Sequence, residues 1–248
     1  MQRKIMAVWM SAMLLLSGCS GRESSGTALL SEATEKISVI ARKIVGDNRK
    51  TVPVDRLMLV NQWNPFPKGE AEGLTKITEA IPCRNIILKS SDMRANEEAV
   101  LELQKMADAM EKDGAGTLRV TSAYRSYAYQ KDLFENKVQR VMASGTDYRD
   151  AQEEAAQEVA RPGTSEHHTG LAFDFTGEDG TLEGFEYSRA YQWIKSFGAE
   201  YGFIIRYPEE KSALTGIIHE PCHLRYVGVE AAKMITEHQW CLEEYLNR

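Results

Sequence analysis

The sequence has no run of lysine or arginine, and its formal net charge is −6. With no cationic stretch to neutralise phosphates, a nucleic-acid-binding role has nothing to stand on. Cysteine is scarce, four in 248 residues, and no two form a CxxC pair, which argues against a zinc site built from thiolates. There is no internal repeat and no HExxH helix. The main apolar run, Ile5 to Leu16, is too short for a comfortable permanent membrane span. What remains is ordinary globular composition, 43% hydrophobic and 27% charged, in a mildly acidic chain.

Arg3 and Lys4 precede the apolar run and small residues follow it, so residues 1–18 read as a secretory signal. "LSGC", Leu16 to Cys19, resembles the lipobox of bacterial lipoproteins. That resemblance implies cleavage before Cys19 and lipidation of Cys19, with the protein held on the outer face of the bacterial cell membrane. Several acyl chains on one residue anchor stably, where one is marginal. Export permits a disulfide among Cys83, Cys222 and Cys241, although three thiols leave at least one without an intramolecular partner. Residues 19–52 read as a membrane-proximal spacer, opening on the polar "SGRESSG". Within it, Leu30, Ile37, Ile40 and Ile44 have some helical spacing, which fits a stalk helix or a disordered segment.

Residues 53–95 carry Pro53, Pro65, Pro67 and Pro82 and no sustained period; they are expected to be irregular, with a short strand at "DRLMLVN", Asp55 to Asn61. Clearer signals begin at Ala95. Val100, Leu103, Met106, Ala107 and Met110 share one helical face, and Gly114 ends it. "TLRVTSAY" alternates as a strand. Helices are predicted over Tyr129–Gly145, over Asp147–Ala160 with Asp147 as N-cap, over Tyr187–Gly202 and over Val229–Gln239. "GLAFDF", "FIIRY" and "CHLRYVG" read as strands. Helices clustered early and strands late predict an α+β domain over 96–248, with a small, largely antiparallel sheet flanked by helices.

Four of the five histidines fall in two short segments, each with a nearby acid: His167 and His168 with Asp174, and His219 and His223 with Glu220. Neutral imidazole and carboxylate oxygen are good zinc ligands, and a catalytic ion usually takes three of them and keeps one position open. Seven residues of extended chain cover about 23 Å. His167 and Asp174 therefore share an ion only if the chain turns between them, and Thr169-Gly170 is where it can. Asp174 sits on a strand whose Leu171, Phe173 and Phe175 face the other way, and a carboxylate there is costly to bury unless it is paired or metal-bound. Pro221 disfavours helix at Glu220, so "HEPCH" reads as a bend entering a strand. Glu220 and His223 then share a pocket, one as ligand and the other as general base. Arg125 follows a strand and has the chemistry to clamp a free carboxylate bidentately.

These segments resemble one family. "SEHHTGLAFD" is similar to the S-x-H-x-x-G-x-A-x-D signature of VanY-type D-alanyl-D-alanine carboxypeptidases, "HEPCHLRYVG" to their E-P-W-H-x-R-Y-V-G, and "SAYRSYAYQ" to their S-G-Y-R-S-x-x-x-Q. The resemblance runs from about Asn96 to the C-terminus. It implies one Zn2+ per chain at the sheet, held by His167, Asp174 and His223, with Glu220 as base and Arg125 as carboxylate clamp. Ser165, Tyr124, Ser126 and Gln130 match positions expected to line the substrate pocket. The implied activity is removal of C-terminal D-Ala from peptidoglycan stem peptides. An L,D-carboxypeptidase, a D,D-dipeptidase or a catalytically degenerate wall-binding lipoprotein are the alternatives. One departure is plain: Cys222 stands where the family has tryptophan, which leaves substrate choice open. Cys222 can be a free thiol, a disulfide partner of Cys83 or Cys241, or a fourth zinc ligand that would close the site.

Overall fold

The computed structural model describes residues 51–248, which lie in one compact unit. The signal, Cys19 and the spacer up to Lys50 lie outside the described residues. The elements in chain order are β1 (Thr51–Val52), β2 (Glu70–Ala71), β3 (Leu74–Lys76), α1 (Ile77–Ala80), β4 (Ile86–Leu88) and β5 (Arg94–Asn96). They continue with α2 (Glu97–Lys112), β6 (Leu118–Ser122), α3 (Tyr127–Met142), α4 (Tyr148–Glu158), a 3-10 turn at Glu166–Thr169 and β7 (Ala172–Phe175). The last are α5 (Glu183–Glu186), α6 (Arg189–Phe197), β8 (Phe203–Tyr207), α7 (Ser212–Thr215), β9 (Glu220–Tyr226), α8 (Val229–Glu237) and α9 (Leu242–Leu246).

The central sheet has five strands in the order β4-β6-β7-β9-β8. β4 and β6 are parallel and the other three pairings antiparallel, so the fold is α+β with a largely antiparallel sheet. Strand alternation sends Leu118, Val120, Phe173, Phe175, Leu224 and Tyr226 to one face. There they join the α2 residues Val100, Leu103, Met106 and Met110 in the main core. α2 forms because Asn96 caps it, accepting from the Ala99 N–H at 3.3 Å, and because its apolar residues recur on one side. It stops where Gly114 turns left-handed at φ +65°. Asp147 caps α4 as the sequence predicts, and Ser126 caps α3, which starts at Tyr127 rather than at Tyr129.

The segment before Asn96 is more ordered than its prolines suggest. β4 is an edge strand of the central sheet, and β3 pairs with β5, so residues 53–95, part of the domain, are not irregular throughout. The strand expected at Asp55–Asn61 does not form. Its backbone is used otherwise: the Arg225 guanidinium donates to the Arg56 and Met58 carbonyls at 3.0 and 2.8 Å, and the Asp55 carboxylate turns the chain by accepting from the Leu57 N–H.

Candidate metal centre

Asp174 on β7 and His223 on β9 stand directly opposite one another in the antiparallel register. Cross-strand neighbours share a face, so the two side chains meet on the side of the sheet away from the main core. His167 arrives from the 3-10 turn, which ends at Gly170 with φ +74°. A Cβ at Gly170 would lie 2.4 Å from Leu74 Cδ2 and 2.9 Å from the Asn96 nitrogen, so both conformation and space demand glycine. This turn folds the chain back and brings His167 over Asp174.

One ligand atom from each of His167, Asp174 and His223 lies within 4.8 Å of the others, and all three residues are buried. His167 Nδ1 lies 2.6 Å from the Ala123 carbonyl, which accepts its proton; Nε2 is left as a bare lone pair, 3.1 Å from Asp174 Oδ2. His223 presents Nδ1 at 3.0 Å from Asp174 Oδ1, while its Nε2 has no hydrogen-bond partner and faces Glu166 Oε2 at 3.6 Å. Two imine nitrogens and a carboxylate oxygen converging on one point are a donor set that fits Zn2+. The Ala123 carbonyl holds the far side of the His167 ring, and the Glu166 carboxylate faces the far side of the His223 ring.

Burial pushes the Asp174 carboxyl up, but His167, Arg125 and His223 facing it outweigh that and hold it well below the usual carboxylate range. Burial, then the Arg125 charge, lowers His167 to about 4, so it is neutral at physiological pH, as a ligand must be. Glu220 Oε2 is 4.0 Å from His223 Nδ1 at the mouth of the site. Burial lifts its carboxyl to about 7; the His223 charge opposes this and the Asp174 charge adds to it. A carboxylate tuned near neutrality beside a metal set suits proton transfer in both directions.

Arg125 donates to Ser122 Oγ at 2.7 Å and to Gln130 Oε1 at 3.3 Å, and its Nη2 is paired with Asp174. It lines the cleft of about 780 Å³ that opens over the cluster, together with Ser165, Tyr207, Glu220 and Cys222. Three expected substrate residues are placed elsewhere. The Tyr124 ring lies under the Arg94 guanidinium, 5.7 Å away. The Ser126 hydroxyl is occupied capping α3. Gln130 is fully buried, bonded to Arg125 and to the Ala160 carbonyl at 2.8 Å, so it braces the clamp rather than meeting substrate. His168 is excluded as a ligand: its ring pairs with the Arg125 carbonyl at 2.7 Å and accepts from the Gly163 N–H at 3.1 Å. His219 is tied to the Tyr207 carbonyl at 2.9 Å.

Cys83, Cys222 and Cys241 are all free thiols. Cys222 alternates with His223, turns toward the main core and contributes nothing to the ligand cluster. Burial pushes its thiol well up, so it stays protonated, and the ligand set keeps its open corner.

Sequence reasoning misses Glu166. It is fully buried between Arg206 Nε and Arg225 Nη1, both at 2.8 Å, and Arg206 also holds Glu243 of α9 bidentately at 2.6 and 2.9 Å. Burial would raise the Glu166 carboxyl, but the two guanidinium groups hold it far below the usual range. The available signal was in the strands. Arg206 and Arg225 interrupt the otherwise apolar "FIIRY" and "CHLRYVG", and buried cations require buried acids.

The family model described as VanY, D-alanyl-D-alanine carboxypeptidase, matches residues 92–229. A D-alanyl-D-alanine carboxypeptidase of Enterococcus faecalis is 35% identical over 223 residues, covering 90% of this chain and 75% of that protein. Among solved structures, a vancomycin resistance D,D-pentapeptidase VanY mutant in complex with Zn(II) is 36% identical, with a TM-score of 0.66 over 77% of this chain and 99% of that one. The LdcB LD-carboxypeptidase is similar to the same degree, 36% identical with a TM-score of 0.65, over 81% of this chain and 91% of that one.

Proposed function

The chain belongs to the VanY D-alanyl-D-alanine carboxypeptidase family of zinc peptidases, and from that premise we propose that it removes the C-terminal D-Ala from peptidoglycan stem peptides. The observation that carries this is the convergence of His167, Asp174 and His223 from a turn and two strands, with Glu220 at 4.0 Å from His223. Zn2+ held by those three side chains would polarise the scissile carbonyl and acidify the attacking water. Glu220 takes the proton of that water and returns it to the leaving amine. Arg125, whose Nη2 is held on Asp174, sets its guanidinium at the junction of cleft and ligands. There it and the buried Ser165 receive the terminal carboxylate. Gln130 and Ser122 fix the Arg125 rotamer, so little freedom is lost on binding.

The test is mass analysis of synthetic pentapeptide ending in D-Ala-D-Ala, incubated with protein before and after chelation. Loss of one alanine, abolished by chelation and restored by Zn2+, is the expected result; intact pentapeptide with Zn2+ present would refute the proposal. A tetrapeptide ending in a single D-Ala tests the L,D reading, which the equal likeness to the LD-carboxypeptidase favours as a second activity. Among the described residues no helix is long and apolar enough to cross a membrane. We propose that a lipid on Cys19 does the anchoring; Cys19→Ser should move the protein from the membrane to the soluble extracytoplasmic fraction, and continued membrane retention would count against it.

A further inference from the structure

The cleft over the ligand cluster does not end there. Past Arg125 and Asp174 it continues into a second limb of about 570 Å³. The floor of this limb is the open face of the sheet. Leu118 and Val120 point into the core, so Arg119 and Thr121 point the other way, and both line the limb with Lys89. The Arg119 Nε is buried and has no hydrogen-bond partner among the described residues. Neither Arg119 nor Lys89 is in an ion pair with any described residue. The carboxylate lining the limb, Asp174, is already committed to Arg125, His167 and His223. Two cations are thus left uncompensated in a concave, hydroxyl-rich wall, in a chain whose net charge is −6.

We infer that this limb is a second carboxylate subsite, in which Arg119, assisted by Lys89, binds an acidic group on the acyl side of the scissile bond. The inference rests on the peptidase reading and deepens it. Register sets the spacing. Ser122 lies opposite Asp174 and Val120 opposite Phe175, with a bulge between them, so Arg119 sits level with Thr176, two strand positions from Asp174, about 7 Å. An extended peptide covers about 3.3–3.6 Å per residue. Arg119 therefore meets a residue roughly two positions from the scissile bond. A carboxypeptidase has a single residue on its leaving side; its carboxylate is received by Arg125, at the junction of the two limbs, and by Ser165, which lines only the first. The second limb is left for the acyl chain. The ligand class is a peptide with a free carboxylate two to three positions before the bond cut, such as a γ-linked glutamyl residue supplies.

The experiment uses the full Zn2+-loaded chain in detergent and two probes, acetyl-L-Ala-γ-D-Glu-L-Lys-D-Ala-D-Ala and its isoglutaminyl amide. Binding is measured by calorimetry and kcat/KM by alanine release. The wild type should prefer the acid at least about tenfold, and Arg119→Gln should bring the two peptides to parity by weakening the acid alone. Lys89→Gln, at an exposed position, should give a smaller loss in the same sense, and it carries the test if the arginine variant does not fold. Equal binding of both peptides by the wild type, or a variant that weakens both alike, overturns the subsite. If both peptides are cut without preference, the subsite falls and the peptidase reading stands. If neither is cut while the acid binds preferentially through Arg119, the subsite stands and the peptidase reading falls.

Discussion

Glu220 shows how much a single side chain's role depends on position rather than type. Asp174, facing Arg125 and two imidazoles, is driven toward the charged form within the candidate ligand cluster. Glu220, set back by 4.0 Å and shielded by burial, is lifted to about 7. Glu220→Gln keeps the shape and removes the basic oxygen. It should leave Zn2+ content unchanged and lower kcat by about 10²–10⁴-fold, the usual worth of a general base. Elemental analysis beside an alanine-release assay checks both halves, and a variant with full turnover would strip Glu220 of its role. The cluster of His167, Asp174 and His223 with Glu220 beside it was legible in the sequence because each residue lies in a short segment with distinctive neighbours. Glu166 and Glu243 were not, because a buried charge network has no period. Glu243 meets Arg206 from 37 residues away, and nothing local marks either acid as buried.

At the level of elements, the site depends on a turn and on the chain's last helix. Gly170 occupies a left-handed conformation against Leu74 and Asn96, and its carbonyl accepts from the Asn96 N–H at 2.9 Å. Gly170→Ala should cost roughly 1–2 kcal/mol from the backbone conformation alone, with more from the contacts. Because His167 rides on the turn, the variant should also lose Zn2+ at lower chelator concentration; a wild-type chelation curve would show that the turn does not set the ligand. α9 reaches the site through Glu243, Arg206 and Glu166. Glu243→Ala leaves Arg206 buried with Glu166 as its one acidic partner, and removing one member of a buried pair costs about 3–5 kcal/mol. Urea titration should show that loss, whereas a cost below 1 kcal/mol would mean the network relaxes. The long helices were legible from their caps and apolar faces. The N-terminal strands were not, since strands of two or three residues such as Leu74–Lys76 and Ile86–Leu88 are too short to display alternation.

For the molecule as a whole, metal, protons and stability are linked through His223. Burial opposes its charge, but the hydrogen bond to Asp174 and the Glu166 carboxylate facing its other nitrogen outweigh burial and raise it to about 9. In the metal-free protein the imidazolium therefore stands among acids where a cation would otherwise be. His167, lowered to about 4, stays neutral through the same range. The sign follows from His223 being raised above its ordinary 6.5. Its contribution to the metal-free fold is complete below that value and is lost as pH climbs through 9. Metal binding runs the other way, because Nδ1 must surrender its proton to become a ligand. From about pH 7 to 8.5, affinity for Zn2+ should rise roughly tenfold per pH unit, with about one proton released per ion. Chelator competition reads the affinity, and calorimetry in two buffers of different ionisation enthalpy reads the proton. The same linkage separates the melting curves. With Zn2+ at a thousandfold excess over its Kd the fold gains about 4 kcal/mol, and the chelated protein alone should lose Tm between about pH 7 and 9. A chelated protein with a flat Tm over that interval, or Zn2+ uptake without proton release, would mean that His223 is already neutral and that the acids around it are balanced from elsewhere.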